Sequence, residues 1–365
     1  MRIALVIERF EPHGGGVEAV AWRVAHGLVA AGDDVHVFAR TAAAEHEGMT
    51  VRSLGGPSGW QPLRVWAFSR AAAGATRAGN FDAIQTFSRT RHQDVFRAGG
   101  GCHAAYMERA YGRVGRVIRL ASPRHALALS IEADVFANSG QTILCNSEMV
   151  RDEIRERYAV PDERLAVIVN GVDTEAFHPR RAREGRAFRD AHPAGRVWLL
   201  VGSGFARKGV ETALRALALR PTDEALWIAG SDDPAPWLGR ARALGIQDRV
   251  QFLGHRRDLA GLYAVADALL LPTRYDAFAN VCLEAAASGL PVVTSGANGA
   301  AGWIGDGGRV VASPDDAEGF AAALGELADE ATREQVSHSA RARAETATWA
   351  HHVAALRELY AKVPR

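Results

Sequence analysis

Cysteine is scarce in this sequence. The three present, Cys102, Cys145 and Cys282, stand far apart and lack ligand spacing. No disulfide framework is expected, and an odd number of free thiols fits a reducing compartment. No apolar stretch reaches the roughly 18 residues of a membrane-spanning helix. The first apolar run, Ile3 to Ile7, meets Glu8 and Arg9 at once, so it reads as a strand rather than a signal peptide. The formal net charge is only +1, which removes any global preference for nucleic acid or acidic partners. The dinucleotide fingerprint is also missing, because the first glycine turn has adjacent glycines rather than the spaced G-x-G-x-x-G. No Asp-x-Asp or histidine cluster stands in a metal-binding context. Asp232-Asp233 and Asp315-Asp316 read as a polar turn and a helix cap. A cytoplasmic, metal-independent globular protein is expected, with surface association to a membrane still open.

What is present is a large core. Of 365 residues, 48% are hydrophobic and 23% charged, and the length suits two domains of about 170 to 180 residues. Residues 2–7 read as a buried strand, 11–16 as a glycine turn and 17–31 as a helix, the opening of an α/β fold. Strands are expected near 34–39, 81–87, 141–145 and 165–169, with helices over 63–78, 125–137 and 146–158. Residues 180–196 read as charged surface helix and linker. The pattern restarts with a strand at 197–201, a glycine turn, and a helix over 210–219. Strands at 225–229, 250–253 and 268–271 follow, each leading into a helix or loop. Strands alternating with short helices in both halves mean two parallel-sheet domains. Helices are expected over 314–327, 333–347 and 349–362.

The most informative stretch is PTRYDAFANVCLEAAASGLPVVTSGANG, residues 272–299. Asp276 and Glu284 are eight residues apart, with roughly 80° between their side chains on an ideal helix. Both carboxylates can therefore look toward one cleft, with Asp276 on the loop or first turn. The amides of Asn280 to Cys282 lie near the positive end of the helix, where an anion binds well. Earlier, Arg207 and Lys208 follow a strand and a glycine turn. Two adjacent cations beside glycine amides suit a diphosphate. In the first half, Gly15 and Gly16 either let a ligand approach the backbone or simply make a sharp turn. His103 follows a second glycine turn, Gly99 to Gly101. Residues 106–125 carry Arg109, Arg113, Arg116, Arg119 and Arg124 against Glu108, with Tyr106, Tyr111 and aliphatics interleaved. This basic amphipathic segment either meets an anionic surface or acceptor, or is a solvated helix.

Residues 272–299 and the phrase NGVDTEAFHP, 170–179, resemble glycosyltransferase family 4, whose members share an acid, seven residues and a glutamate. The nearest resemblance is to the lipopolysaccharide core glucosyltransferase I group, which also has Arg207 in place of an arginine at Ser203. The resemblance implies a GT-B architecture: two Rossmann-like domains with a cleft between them and a C-terminal helix crossing back to the first. Residues 1–171, completed by helix 349–362, would bind the acceptor. Residues 172–348 would bind a nucleotide sugar. It implies a retaining hexosyltransferase moving glucose from a UDP-sugar to a lipopolysaccharide core or related glycolipid, with no cofactor and as a monomer. Mannose, galactose or N-acetylhexosamine transfer, a UDP-sugar epimerase and a non-catalytic binder are the alternatives. Glu284 would accept the ribose hydroxyls, Asp276 the sugar hydroxyls, and Asn280 and Val281 amides the distal phosphate. Gly254 and His255 would hold the base. Gly15 and Gly16 would meet the donor diphosphate or acceptor. His103, or Asp94 in its place, would contact the transferred sugar or acceptor. Asp276 departs from the family's usual Glu, shortening the reach by one methylene. Asn170, Gly171 and Asp173 are expected to be structural turn formers.

Overall fold

The computed structural model describes residues 1–12, 15–42, 48–110 and 122–363. The chain divides into two compact units, Met1–Asn170 with Trp349–Arg365, and Gly171–Thr348.

In chain order the first unit contains β1 (Arg2–Phe10), α1 (Gly16–Ala30), β2 (Asp34–Ala42), β3 (Met49–Ser53), α2 (Gln61–Arg77), β4 (Ala83–Thr86), β5 (Val95–Arg97), α3 (His103–Ala110), α4 (Pro123–Ala137), β6 (Thr142–Cys145), α5 (Glu148–Tyr158) and β7 (Leu165–Val167). Its seven strands form one parallel sheet in the order β3-β2-β1-β4-β5-β6-β7. The winding direction reverses between β1 and β4, so a crevice opens beyond their carboxyl ends. Both faces of β1 are covered, as a central parallel strand requires. Successive side chains of a strand point to opposite faces. Accordingly Ile3, Leu5 and Ile7 pack in one cluster with α1, and Ala4 and Val6 pack in another with Phe68 and Ala72 of α2. The last helix of the chain, Trp349–Tyr360, belongs to this unit. Its Val353, Leu356 and Tyr360 sit in the first cluster, and the Tyr360 hydroxyl donates to Gln85 Oε1 at 2.8 Å. Each such side chain contributes about 1.5–3 kcal/mol by burial, which holds the helix on this core.

The second unit contains α6 (Ala182–Ala191), β8 (Arg196–Val201), α7 (Phe205–Lys208), α8 (Val210–Ala218), β9 (Glu224–Ala229), α9 (Ala235–Ala243), β10 (Val250–Gly254), α10 (Leu259–Val265), β11 (Ala268–Leu271), α11 (Asn280–Ala287), β12 (Val292–Ser295), α12 (Ala301–Ile304), β13 (Gly308–Val311), α13 (Ala317–Ala328) and α14 (Glu330–Thr346), and the terminal helix is α15. Its six parallel strands run β10-β9-β8-β11-β12-β13. The switch point here lies between β8 and β11. The central strands are apolar throughout: Val197 to Leu200 and Ala268 to Leu271 are fully buried.

Two Rossmann-like parallel sheets with C-terminal helices are therefore present, the architecture expected. Two features were not. Met49–Ser53 adds an edge strand beside β2, hidden in the sequence by its mixed polarity. The second is how closely the helix expected within 180–196 is seated: α6 packs on α10, where a Cβ on Gly185 would lie 2.1 Å from the Gly261 carbonyl oxygen. Only two glycines allow that approach. The 170–173 turn behaves as its chemistry predicts. Asp173 Oδ1 accepts from the Glu175 and Ala176 amides, and Asn170 Oδ1 accepts from Arg97 Nη2 at 2.7 Å.

Candidate active site

In the second unit the chain leaves β8 through Gly202, Ser203 and Gly204 and turns into α7, which ends in Arg207 and Lys208. Gly202 has φ +136°, and a Cβ there would lie 2.8 Å from Lys208 Cε. A side chain at 202 would thus displace the lysine. Lys208 Nζ donates to Asp276 Oδ2 at 2.8 Å and Arg207 Nη1 donates to the same oxygen at 2.9 Å. Arg207 Nη1 also reaches the Tyr275 carbonyl. Asp276 lies on the loop after β11, pinned by its amide to the Ala297 carbonyl and by its carbonyl to the Gly299 amide. Burial alone would raise the Asp276 pKa, but Lys208 and Arg207 outweigh it and hold the carboxyl below its ordinary range. Both cations converge on Oδ2. Among the described residues, Oδ1 has no protein partner.

Glu284 sits on α11, one turn before its end. Its Oε2 accepts from the Tyr263 hydroxyl of α10 at 2.9 Å. Burial pushes its carboxyl up, partly offset by that hydroxyl and by Lys208. Lys208 therefore acts electrostatically on both acids of the 272–299 stretch. Asn298 supports the same loop: its Oδ1 accepts from the Ala279 and Ala300 amides and its Nδ2 donates to Thr294 Oγ1. Asn280 and Val281 form the first turn of α11, as expected.

One expectation needs correcting. The glycine-turn amides beside Arg207 and Lys208 are not presented to a ligand. Asp232, across the sheet after β9, accepts from Gly204 N at 2.8 Å and from Phe205 N at 2.7 Å. Its carboxylate satisfies the donors that open α7. Ser203 bonds Ser231 at 2.7 Å. The Arg207 and Lys208 side chains are the groups of this loop that reach Asp276. Gly254 and His255 are exposed at the end of the edge strand β10. Gly254 has φ +64°, and its carbonyl accepts from the Gly230 amide at 2.9 Å.

In the first unit, Gly15 and Gly16 begin α1 without positive φ. Among the described residues, a Cβ on Gly16 would meet nothing within 4 Å, and one on Gly15 would meet the tip of Glu18. Neither glycine is required by turn geometry. His103 opens α3 after Gly99–Gly101. Its ring stacks on His125 at 5.2 Å and on Tyr106 at 5.9 Å. Nδ1 meets Arg89 Nη2 at 3.3 Å, and Nε2 meets His125 Nδ1 at 3.0 Å. Burial, then Arg89 and His125, pull its pKa down to about 4. Glu132 of α4 caps the start of α3 through the His103 and Ala104 amides and accepts from the Tyr158 hydroxyl. Asp94 stands at the other edge of the sheet, before β5. It accepts from the Ile84 amide at 2.8 Å and shares no cavity with His103. Of the basic segment, Arg113, Arg116 and Arg119 lie outside the described residues. Arg109 is paired with Glu153 at 2.9 Å.

Two cavities adjoin at the carboxyl edge of this sheet, of about 230 and 220 Å³. They share Gln61, Val65, Arg89, Gly100 and Ile131. Sequence reasoning missed Arg89, Glu132, Tyr263 and Asp232, because each acts through a partner distant along the chain. Among the described residues, no cluster of three His, Cys, Asp or Glu could hold a metal ion, and no helix is long and apolar enough to cross a membrane.

Parallel sheets with cations and acids gathered at their carboxyl edges are the arrangement expected of a sugar-nucleotide transferase, and the similar proteins are of that class. Residues 14–176 match Glycosyltransferase Family 4, and residues 195–330 match Glycosyl transferases group 1. The chain is 30% identical to glycogen synthase of Mycobacterium tuberculosis over 341 residues, 87% of this chain and 75% of that protein. It is 30% identical over 244 residues to the lipopolysaccharide glucosyltransferase WaaG of Escherichia coli, a match spanning 64% of each chain. The crystal structure of WaaG superposes with a TM-score of 0.83 at 24% identity, covering 99% of this chain and all of that one, a likeness of fold. The chain belongs to glycosyltransferase family 4 and is a GT-B glycosyltransferase, close to the lipopolysaccharide core glucosyltransferase I group.

Proposed function

We propose that the protein transfers a hexose, glucose, from a UDP-sugar to a lipopolysaccharide core or related glycolipid acceptor, with retention of the anomeric configuration. Residues 172–348 bind the donor, and residues 1–171 with 349–362 bind the acceptor. The observation that carries this reading is the convergence of Lys208 and Arg207 on one oxygen of Asp276, with Glu284 held nearby by Tyr263. As the bond from the anomeric carbon to the diphosphate breaks, negative charge grows on the leaving phosphate. Lys208 and Arg207 neutralise that charge. The leaving phosphate oxygen takes the proton of the acceptor hydroxyl, which forms the new bond on the same face. Asp276 Oδ1 accepts from a hydroxyl of the sugar, and Glu284 accepts from the ribose hydroxyls, using the acceptor capacity of a carboxylate. Similarity to a lipopolysaccharide glucosyltransferase supports the choice of sugar and acceptor.

The test is a panel of nucleotide sugars, with a truncated lipopolysaccharide as acceptor and mass spectrometry as readout. A hexose added only from a UDP-sugar is expected. Binding of another nucleotide, with no UDP-sugar bound or hydrolysed, would sink the reading. The shorter Asp276 makes mannose and galactose the informative competing donors.

A membrane surface is the proposed second partner. Trp60, Leu63 and Trp66 lie exposed at the start of α2, and Arg70 covers the Trp66 ring at 5.1 Å. Aromatics and arginines on one helical face suit the headgroup region of an anionic bilayer. Vesicles with anionic lipid should sediment the protein at low salt. Equal sedimentation of a W60S/W66S variant would remove this face from the interface.

A further inference from the structure

The phrase 170–179 has no part in the transfer chemistry above, yet the second unit builds it against a residue of the donor site. Asp173 Oδ1 accepts from the Glu175 and Ala176 amides, and the Asp173 carbonyl accepts from the Phe177 amide at 2.9 Å. Arg341 Nη1 donates to the Thr174 and Phe177 carbonyls, each at 3.1 Å. The turn is thereby fixed. Its Phe177 ring meets the Tyr263 ring edge-on, with centroids 5.9 Å apart at 68°. Tyr263 lies on α10, which Gly261 seats on Gly185 of α6. Tyr263 is only 1% exposed. Its ring has a wall on one side and a seated helix behind it, and in a close-packed interior few rotamers fit.

The Tyr263 hydroxyl leaves this packing at Glu284. It donates to Oε2 at 2.9 Å, its one hydrogen bond among the described residues. Burial, then the Glu284 charge, push the phenol pKa well above its ordinary value, so the group stays a donor. A donor fixed on Oε2 sets the turn of the carboxylate about its last bond. Among the described residues no donor reaches Oε1, and Glu284 is half-buried rather than sealed. One oxygen is tied and the other is presented. Burial raises the Glu284 pKa, while Tyr263 of α10 and Lys208 of α7 oppose it and favour the ionised form. An ionised carboxylate accepts from hydroxyls and has no proton of its own to place.

We propose that Tyr263, backed by Phe177, is the positioning residue for ribose recognition. It holds Glu284 so that the free oxygen meets a ribose hydroxyl, and so sets the preference for a ribonucleotide donor over a 2′-deoxyribonucleotide. This rests on the assignment of Glu284 to the ribose. The phrase 170–179 thereby gains a task in donor selection beyond making a turn.

The test measures binding of UDP and 2′-deoxy-UDP by calorimetry for wild type, Tyr263→Phe, Glu284→Gln, the double variant and Phe177→Leu. Tyr263→Phe removes the hydroxyl and keeps the ring against Phe177. Wild type should prefer UDP by roughly 10-fold to 100-fold, the worth of a hydrogen bond to a charged group. Tyr263→Phe should cut that preference by roughly 3-fold to 10-fold, and should raise donor KM more than it lowers kcat. Its UDP affinity should also begin to fall at a higher pH than in wild type, because the lost hydroxyl favoured ionised Glu284. A change in packing alone would not move that profile. Glu284→Gln should erase the preference, and adding Tyr263→Phe to it should change little, because the tyrosine acts through that carboxylate. Phe177→Leu should reduce the preference by less than Tyr263→Phe does, and an unchanged preference there strikes the part given to Phe177. An unchanged preference and pH profile in Tyr263→Phe, with the preference lost in Glu284→Gln, overturns the proposal and leaves the donor reading standing. An equal cost of Tyr263→Phe with and without the Glu284 carboxylate overturns it as well. A preference intact in Glu284→Gln removes the ribose assignment itself, and this proposal with it.

Discussion

The two units carry their cations in opposite electrostatic states. Lys208 and Arg207 share one carboxylate oxygen of Asp276, while Arg89 rests on a neutral imidazole. A cation already paired with a nearby carboxylate gives little net attraction to a resting anion. Its value appears when new charge develops and draws the donors across, which is the condition for lowering a barrier rather than tightening a ground state. A cation bonded to a neutral ligand, with the Glu132 carboxylate near it but not bonded to it, keeps more of its field for an anion that arrives charged. The first arrangement suits a leaving group and the second suits recognition. The charge partner, rather than the charge, separates the two roles.

The largest effect that tests this contrast is at Lys208. Lys208→Ala should lower kcat by roughly 100-fold to 1,000-fold, the usual loss for one preorganised charge-stabilising donor. Donor KM should move much less, because Asp276 screens Lys208 in the ground state. Steady-state kinetics with a saturating acceptor gives both numbers. A variant with normal kcat and a raised donor KM would reverse the assignment and make Lys208 a group that recognises the resting donor.

How far this contrast was readable beforehand depends on chain distance. The spacing of Asp276 and Glu284 and the Arg207-Lys208 pair are local, and the glycine turns and alternating strands around them announce the fold. Lys208 stands out further because only two of the 43 basic residues are lysines, at 208 and 362. The partners that set each group's behaviour are distant. Tyr263 reaches Glu284 across 21 positions, Asp232 reaches the α7 amides across 28 and 27, and Arg89 meets His103 across 14. Helical or strand periodicity encodes none of these. The helix within 180–196 was legible but its seat was not: α6 is anchored on α10 through Gly185 and Gly261, and glycine carries no hydrophobic signal.

The units should also part company in acid, and the sign follows from their titrating groups. His352 of α15 is buried, bonds the Val169 carbonyl at 2.7 Å through Nδ1, and has its pKa pulled down to about 4 by burial. His103 is likewise held at about 4. A histidine whose folded pKa lies below the unfolded value near 6.5 takes its proton more readily when unfolded. Its stability contribution is complete above pH 6.5 and is lost as pH falls toward 4. By pH 5 the buried His352 costs about 2 kcal/mol. In the second unit the signs are mixed, because His178 also has its pKa lowered, by slight burial and then Arg341. Asp276, with its pKa lowered, stays ionised throughout this window and contributes no slope there. Glu284, with its pKa raised, favours the folded state as protons bind. The first unit should therefore lose more stability between pH 7.5 and 5 than the second, where the lowered pKa of His178 is opposed by Glu284. Calorimetric melting of wild type and His352→Gln at both pH values tests this. The glutamine can still donate to the Val169 carbonyl but does not titrate, so the acid-induced drop should shrink by about 2 kcal/mol. An undiminished drop in the variant would mean that the acid sensitivity arises elsewhere, and the electrostatic division between the two units would lose its support at this end of the chain.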